Sequence, residues 1–220
     1  MYTTKNLLDL DHTIAKKYLE QYEYPWLALP EIKNFIKELI LELDPNEYTE
    51  VKKDVFVHKT ATVAPSADLN GPTIIGPKSE IRHCAYIRGN AIIGEGVVIG
   101  NSCEVKNAII FDKSQVPHFN YVGDSILGLH AHMGAGSIVS NLKSDGKNVT
   151  IKDGDNKVET SLRKFGAIIG DNAEIGCNSV LNPGTVIGRN TNVYPLARVR
   201  GLVPENSIYK DEGNIVEKVG

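Results

Sequence analysis

Counting in sixes from Val57 gives Val57, Val63, Leu69, Ile75, Ile81, Ile87, Ile93, Ile99, Val105 and Phe111, an unbroken run of apolar positions. Two places before them runs a second column, Ala61, Ala67, Thr73, Ser79, Ala85, Ala91, Val97 and Cys103, nearly all small. Both columns resume further on, the first as Ile169, Ile175, Leu181, Ile187, Val193 and Val199, the second as Ala167, Ala173, Ser179, Thr185, Thr191 and Ala197. Neither the period of a helix nor the alternation of a strand produces two fixed columns at this spacing, but a coil of short flat rungs joined by tight corners does. Each branched residue then points inward and stacks on its equivalent one coil away, while the corner next to it admits only small side chains. Stacked rungs pair in parallel at about the ordinary interstrand spacing, and each coil is stabilised by its neighbours alone.

The first fifty residues have another texture: they are charged, lack glycine and carry the only tryptophan, Trp26. Two helices are expected there. Asp11 would cap the first, with Ile14, Ala15, Tyr18, Leu19 and Tyr22 on one face. Pro30 would open the second, with Ile32, Phe35, Ile36, Leu39 and Leu43 as its stripe and Pro45 as its stop. Such stripes predict packing against the coil. Lys and Arg number 24 against 27 Asp and Glu, a net charge of −3. That balance lacks the positive field a nucleic-acid binder needs, so no nucleic-acid partner is expected. The three cysteines, Cys84, Cys103 and Cys177, are an odd and scattered set without a CxxC pair. They suggest neither a disulfide framework nor a zinc knuckle, fit a reducing cytosol, and read as small core or groove residues rather than nucleophiles. No basic leader precedes an apolar stretch, and no segment approaches the roughly eighteen uncharged apolar residues of a membrane span. A cytoplasmic protein without a membrane partner is the expectation.

The pattern resembles the hexapeptide-repeat family, whose coils form three-sided left-handed parallel β-helices. The likeness runs from about residue 55 to residue 203. The handedness comes from the resemblance, since the general rule for parallel crossovers favours the right hand. The expected fold is therefore all-β, a left-handed parallel β-helix with a short α-helical N-terminal segment. The expected layout is helices over 1–50, the coil over 51–207 with a hairpin insertion at 142–165, and a tail over 208–220. The repeat breaks three times, and residues freed from the stacking register can serve something other than packing. Gln115 to Asp124, QVPHFNYVGD, places Pro117 and His118 where an aliphatic residue and a corner are due. His130 to Asn141, HAHMGAGSIVSN, is rich in glycine. Leu142 to Phe165 is charged, with NVTIK and KVETS flanking Asp153-Gly154-Asp155-Asn156, and predicts a protruding hairpin.

The stretch HFNYVGDSILGLHAHMGAGSIVSN resembles the active-site region of the glucosamine-1-phosphate N-acetyltransferase domain, and the segment RKFGAIIGDNAEIGCNSVLNPGTVIG resembles archaeal sugar-1-phosphate nucleotidyltransferase/acetyltransferases. Superposing His118 on that family's catalytic histidine implies that Arg88 and Lys106 hold the sugar phosphate and that Tyr121 contacts the sugar. His132 stands where the family has a sugar-contacting Asn. Ala135, Asn141, Leu142, Cys177 and Pro195 fall on positions beside acetyl-CoA. The resemblance further implies an amino-sugar phosphate as acceptor, acetyl-CoA as cofactor, and a homotrimer with coenzyme channels between prisms. No Gly-rich nucleotidyltransferase signature precedes the repeat, so only the acyl-transfer half is expected.

Thioester-to-amine transfer needs a group that accepts the proton of the attacking nitrogen, and an imidazole serves at neutral pH. Arg88 and Lys106 each follow an inward aliphatic residue one coil apart, so they should stack on one corner, where a phosphate would relieve their repulsion. The alternative is a solvated face with both paired to Glu104 or Asp112. Backbone N–H groups around Gly134, Gly136 and Leu142 are candidates for an oxyanion hole. Two other functional readings stand: a non-catalytic hexapeptide scaffold, and a metal site of the γ-carbonic-anhydrase kind drawing on His83, His118, His130 and His132. The spacing argues against the latter, since no two histidines form the HxxxxH pair of that family, and no metal is expected.

Overall fold

The computed structural model describes residues 2–218. From Val55 the chain winds as a left-handed, three-walled parallel β-helix. The first wall begins with Val55–His58, Thr73–Ile75 and Ala91–Ile93, the second with Thr62–Val63, Glu80–Ile81 and Val98–Asn101, and the third with Asp68–Leu69 and Tyr86–Ile87. The second wall is a nine-stranded sheet. The first and third merge into one sheet, because Glu104–Ile110 and Tyr121–Leu127 run straight through the edge between them and pair on both sides.

Inside, the column read from the sequence forms a continuous core, from Val57 through Ile75, Ile93 and Val105 to Val199 and Tyr209. One member of the expected column is misplaced. Ile93 pairs with Ile110, 17 residues on, whereas Ile75 pairs with Ile93 at a distance of 18. Ile110 therefore fills the core and Phe111 turns outward into a second cluster. Asn107 in the left-handed region, φ 48°, lets the strand cross the edge without a full corner and absorbs the missing residue. The register thus changes first before the break at Gln115 and again inside it, where Asp124, φ 49°, shortens the step from Val122 to Leu127 in the same way.

The second cluster explains the N-terminal segment. On the first wall the outward residues Ile74, Ile92, Ile109, Ile126, Ile168 and Val186 are aliphatic and fully buried, whereas the other walls present residues such as Glu80, Gln115, Glu104 and Arg198. The covering chain is more broken than expected. It consists of α-helices Thr4–Leu7, Lys16–Leu19 and Ile32–Ile40 with 3-10 turns at Leu10–His12 and Pro25–Glu31. Asp11 is not an N-cap: Asp9 caps the turn, its side chain accepting from the Asp11 N–H. Pro30 closes the 3-10 turn instead of opening the helix. Hydrogen bonds fasten the cover to the coil. The Asp171 and Asp112 N–H groups donate to the carbonyls of Leu7 and His12, 3.0 and 3.2 Å. The Asp9 N–H donates to Asp171 Oδ2, 2.7 Å, and Asn107 Nδ2 donates to the Leu29 carbonyl, 3.2 Å.

Three boundaries also move. Strand Tyr48–Lys52 straddles the expected start at 51 and pairs antiparallel with Val55–His58. Strand Ser207–Asp211 crosses the expected boundary of coil and tail and pairs antiparallel with Asn214–Glu217, its Tyr209 closing the core; residues 219–220 lie outside the described residues. The insertion does form a hairpin, Thr150–Asp153 with Asn156–Glu159, but it folds back instead of protruding. Val149, Ile151 and Phe165 are buried against the first wall. Among the described residues, no helix is long and apolar enough to cross a membrane.

Candidate active site

Two edges of the third wall carry the expected site residues. His118 ends strand Gln115–His118 and is exposed. Its main chain is held on both sides: the N–H donates to Asn120 Oδ1 at 2.9 Å, and the carbonyl accepts from the Gly136 N–H at 2.9 Å. Asn120, which the sequence reading passed over, is 2 % exposed. Its Nδ2 donates to the carbonyls of Gly134 and Ser137 and to Ser137 Oγ, at 2.8, 3.1 and 3.0 Å. A buried amide satisfied in this way fixes the corner that presents the imidazole.

The parallel register places Ala135, Cys177 and Pro195 above His118 on the same edge, one per coil. The carbonyls of Ala135 and Cys177 accept from Asn178 and Leu196, each at 2.9 Å, repeating the bond from Gly136 to His118. Cys177 and Pro195 are exposed and Ala135 is half-buried. The same bonds correct one expectation. The Gly134 N–H donates to the Ile175 carbonyl and the Gly136 N–H to that of His118, so neither is free for an oxyanion. Close approach governs this part of the coil: a Cβ on Gly100 would lie 1.6 Å from the Pro117 carbonyl oxygen. Gly100→Ala is therefore expected to lower stability by at least about 1–3 kcal/mol and to disturb His118 amide exchange, read by denaturant melts and hydrogen exchange.

At the far edge of the third wall, Arg88 and Lys106 stack one coil apart as expected, the Arg88 N–H donating to the Val105 carbonyl at 2.8 Å. Each has a carboxylate. Arg88 Nη1 lies 2.6 Å from Glu104 Oε1 on an exposed surface, and this bond holds the guanidinium above its ordinary range. Lys106 Nζ reaches Asp124 Oδ2 at 3.0 Å, not Asp112. Asp124, 5 % exposed, also accepts from Asn107 Nδ2 at 3.0 Å and from Asn141 Nδ2. Asn141 Nδ2 in turn donates to the Tyr121 hydroxyl, 3.2 Å, and burial pushes the Tyr121 phenol up. Gly123 makes room for this cluster: a Cβ there would sit 2.5 Å from the Tyr121 hydroxyl and 2.9 Å from Asn141 Nδ2. Lys106, Tyr121 and Asn141 are thus brought together around a carboxylate that the sequence reading did not single out.

Other candidates stand apart within one chain. His132 is half-buried at the start of its second-wall strand, opposite Gln115. Leu142 leaves the coil in an antiparallel bridge with Lys164, beside a cleft of about 420 Å³ that includes Ser140, Asn182 and Arg200. Among the described residues no three histidine, cysteine or carboxylate side chains gather as metal ligands.

Comparison with known proteins bears on these edges. Residues 166–201 match the bacterial transferase hexapeptide (six repeats), and residues 69–158 match the GMPPB C-terminal domain. The chain thus carries the hexapeptide repeat of bacterial transferases. It is similar to the bifunctional protein GlmU of Methanococcus vannielii, 34% identical over 197 residues, which cover 88% of this chain and 47% of that protein. It is also similar to a bifunctional sugar-1-phosphate nucleotidylyltransferase/acetyltransferase of Sulfurisphaera tokodaii, 32% identical over 223 residues, covering 93% of this chain and 53% of that protein. The chain spans about half the length of the curated relatives it matches.

Proposed function

We propose that this chain transfers the acetyl group of acetyl-CoA to the amine of an amino-sugar phosphate, with His118 as the general base. The observation that carries the reading is the cluster of Lys106, Asp124, Asn141 and Tyr121 on the third wall, built around a buried carboxylate on the same wall that ends in His118. The similarity to the sugar-1-phosphate nucleotidylyltransferase/acetyltransferase of Sulfurisphaera tokodaii supports acetyl transfer. Arg88 with Glu104 and Lys106 with Asp124 make a surface balanced in charge, which suits an acceptor carrying an ammonium as well as a phosphate. Arg88 and Lys106 take the phosphate, Tyr121 and His132 the sugar, and His118 the proton released as nitrogen attacks the thioester carbon.

Acetyl-CoA lies along the edge of Ala135, Cys177 and Pro195 and meets Asn141 and Leu142 of an adjacent copy, since within one chain these two sets occupy opposite edges of the third wall. A homotrimer follows. Phe119 and Leu196 favour it: each turns a corner of that edge in the left-handed region, at φ 53° and 63°, and each is bulky, apolar and exposed, 60% and 78%. Sedimentation should give three times the 24.1 kDa chain mass, and Leu196→Asp should lower it toward that of the single chain.

Release of free CoA thiol from acetyl-CoA, measured with glucosamine 1-phosphate and then with other amino-sugar phosphates and nucleotide sugars, tests the reaction. Turnover with any of them establishes acyl transfer. No turnover with the whole panel leaves the scaffold reading, which the ion-paired state of Arg88 and Lys106 also accommodates. Protein purified without chelator and free of metal by elemental analysis, yet still releasing CoA, excludes the metal-dependent alternative.

A further inference from the structure

Two coils before His118, the same edge carries a second group of reactive side chains. Ile81 pairs with Ile99 and Ile99 with Val116, so His83, Asn101 and His118 hold equivalent positions in successive coils. Cys84 follows His83 and turns the corner at φ 55°, with its side chain exposed. Its Sγ lies 3.3 Å from His83 Nε2. The other ring nitrogen, His83 Nδ1, lies 2.7 Å from Ser66 Oγ, one coil earlier, and the same hydroxyl accepts the Cys84 N–H at 3.2 Å. One serine therefore anchors both the imidazole and the backbone of the thiol. With Nδ1–H donated to Ser66, Nε2 is left as the acceptor facing Sγ.

A nucleophile, a base within reach of it and a third group orienting the base form the arrangement that activates a side chain for attack. The attacking species of a cysteine is its thiolate. We propose that Cys84, with His83 as its base and Ser66 as its anchor, is a reactive thiol that forms mixed disulfides with low-molecular-weight disulfides. The Cys84 proton passes to His83 Nε2 as Sγ attacks one sulfur of the incoming disulfide. The new S–S bond forms as the old one breaks, and the departing thiolate takes the proton from His83. Cys84 is oxidised to the mixed disulfide, the small disulfide is reduced to one released thiol, and no other oxidant is required.

The other cysteines lack this setting. Cys103 is buried, with its Sγ directed at the Val116 carbonyl, 3.1 Å. Cys177 is exposed in the single chain, and no imidazole bonds to its Sγ among the described residues. The site does not depend on the acyl-transfer reading.

The test uses 5,5′-dithiobis(2-nitrobenzoic acid), an aromatic disulfide whose released thiol absorbs visible light. Cys84→Ser and Cys177→Ser separate the two exposed thiols, so each rate is read alone. In the Cys177→Ser background, Cys84 is expected to react on the order of tenfold faster than in the same protein carrying His83→Gln. Ser66→Ala should fall between them. Oxidised glutathione should then leave one adduct, on the Cys84 peptide, by mass spectrometry. A Cys84 rate unmoved by His83→Gln would overturn the proposal. All three side chains of the group are exposed, so circular dichroism of the variants should match that of the parent and tie the rates to local chemistry.

Discussion

His118→Ala is expected to cut acetyl transfer by about 10²–10⁴-fold, the usual worth of a positioned general base, while the coil stays folded. The side chain is exposed, and the bonds that hold this corner run through main-chain atoms and Asn120, so its removal leaves no cavity and no orphaned buried group. The loss should fall on kcat. Arg88, Lys106 and Tyr121 sit at the other edge of the wall, and the acceptor KM should therefore change little, the pattern of an interaction made only in the transition state. Lys106→Met should do the reverse. It removes a phosphate ligand and leaves Asp124 accepting from the two amides alone, so the acceptor KM rises. Steady-state kinetics across acceptor concentration separates the two outcomes. A His118→Ala protein with the parent kcat would remove the imidazole from the chemistry.

The interior of this protein was legible because the coil repeats a one-dimensional rule: an inward branched residue every six positions. The rule failed where left-handed Asn107 and Asp124 each shortened a step by one residue; at the first, Phe111 and Ile110 exchanged places, since a slip of one residue reverses inside and outside. The cover over the first wall was also written in the sequence. Ile74, Ile92, Ile109, Ile126 and Ile168 stand just before the inward residue, where the other walls present polar side chains. Reading that third column would have told which wall the N-terminal segment hides. The helices themselves were harder, because Pro25 and Pro30 favour tight 3-10 turns and contacts with the coil, not periodicity, hold the short pieces in place. At the site, His118, Lys106, Tyr121 and Asn141 came from a likeness of motifs. Asp124 and Asn120 stood inside the quoted stretch without a visible task, because a buried carboxylate or amide declares itself only when its donors from neighbouring coils are known. The dipeptide His83-Cys84 was in plain view. Its significance depended on Ser66, one coil away.

Phe165→Ala should be the most destabilising single change, at about 3–5 kcal/mol for truncating a fully buried aromatic. Phe165 is 0% exposed. Its ring stacks on Trp26, with centroids 6.0 Å apart and planes at 25°, and Tyr24 also stacks on the indole at 4.9 Å. The Phe165 N–H donates to the Asn141 carbonyl, 3.0 Å, so one residue joins the end of the hairpin, the N-terminal cover and the candidate site. Because each coil leans only on its neighbours, the apolar first wall depends on this cover to keep Ile109, Ile126 and Ile168 from water. Trp26 is the only tryptophan in the chain, and tryptophan emission therefore reports on the packing of the cover. In Phe165→Ala the emission should shift to the red before any denaturant is added, and the melting midpoint should fall. Leu41→Ala, at a side chain 86% exposed, should move neither. If the cover were an independent unit, Trp26 emission and the β-sheet signal would melt separately in the parent protein. The packing of Trp26 against Phe165 and of the cover against the wall requires a single transition, and two separated transitions would refute the claim that the coil and its N-terminal segment form one core.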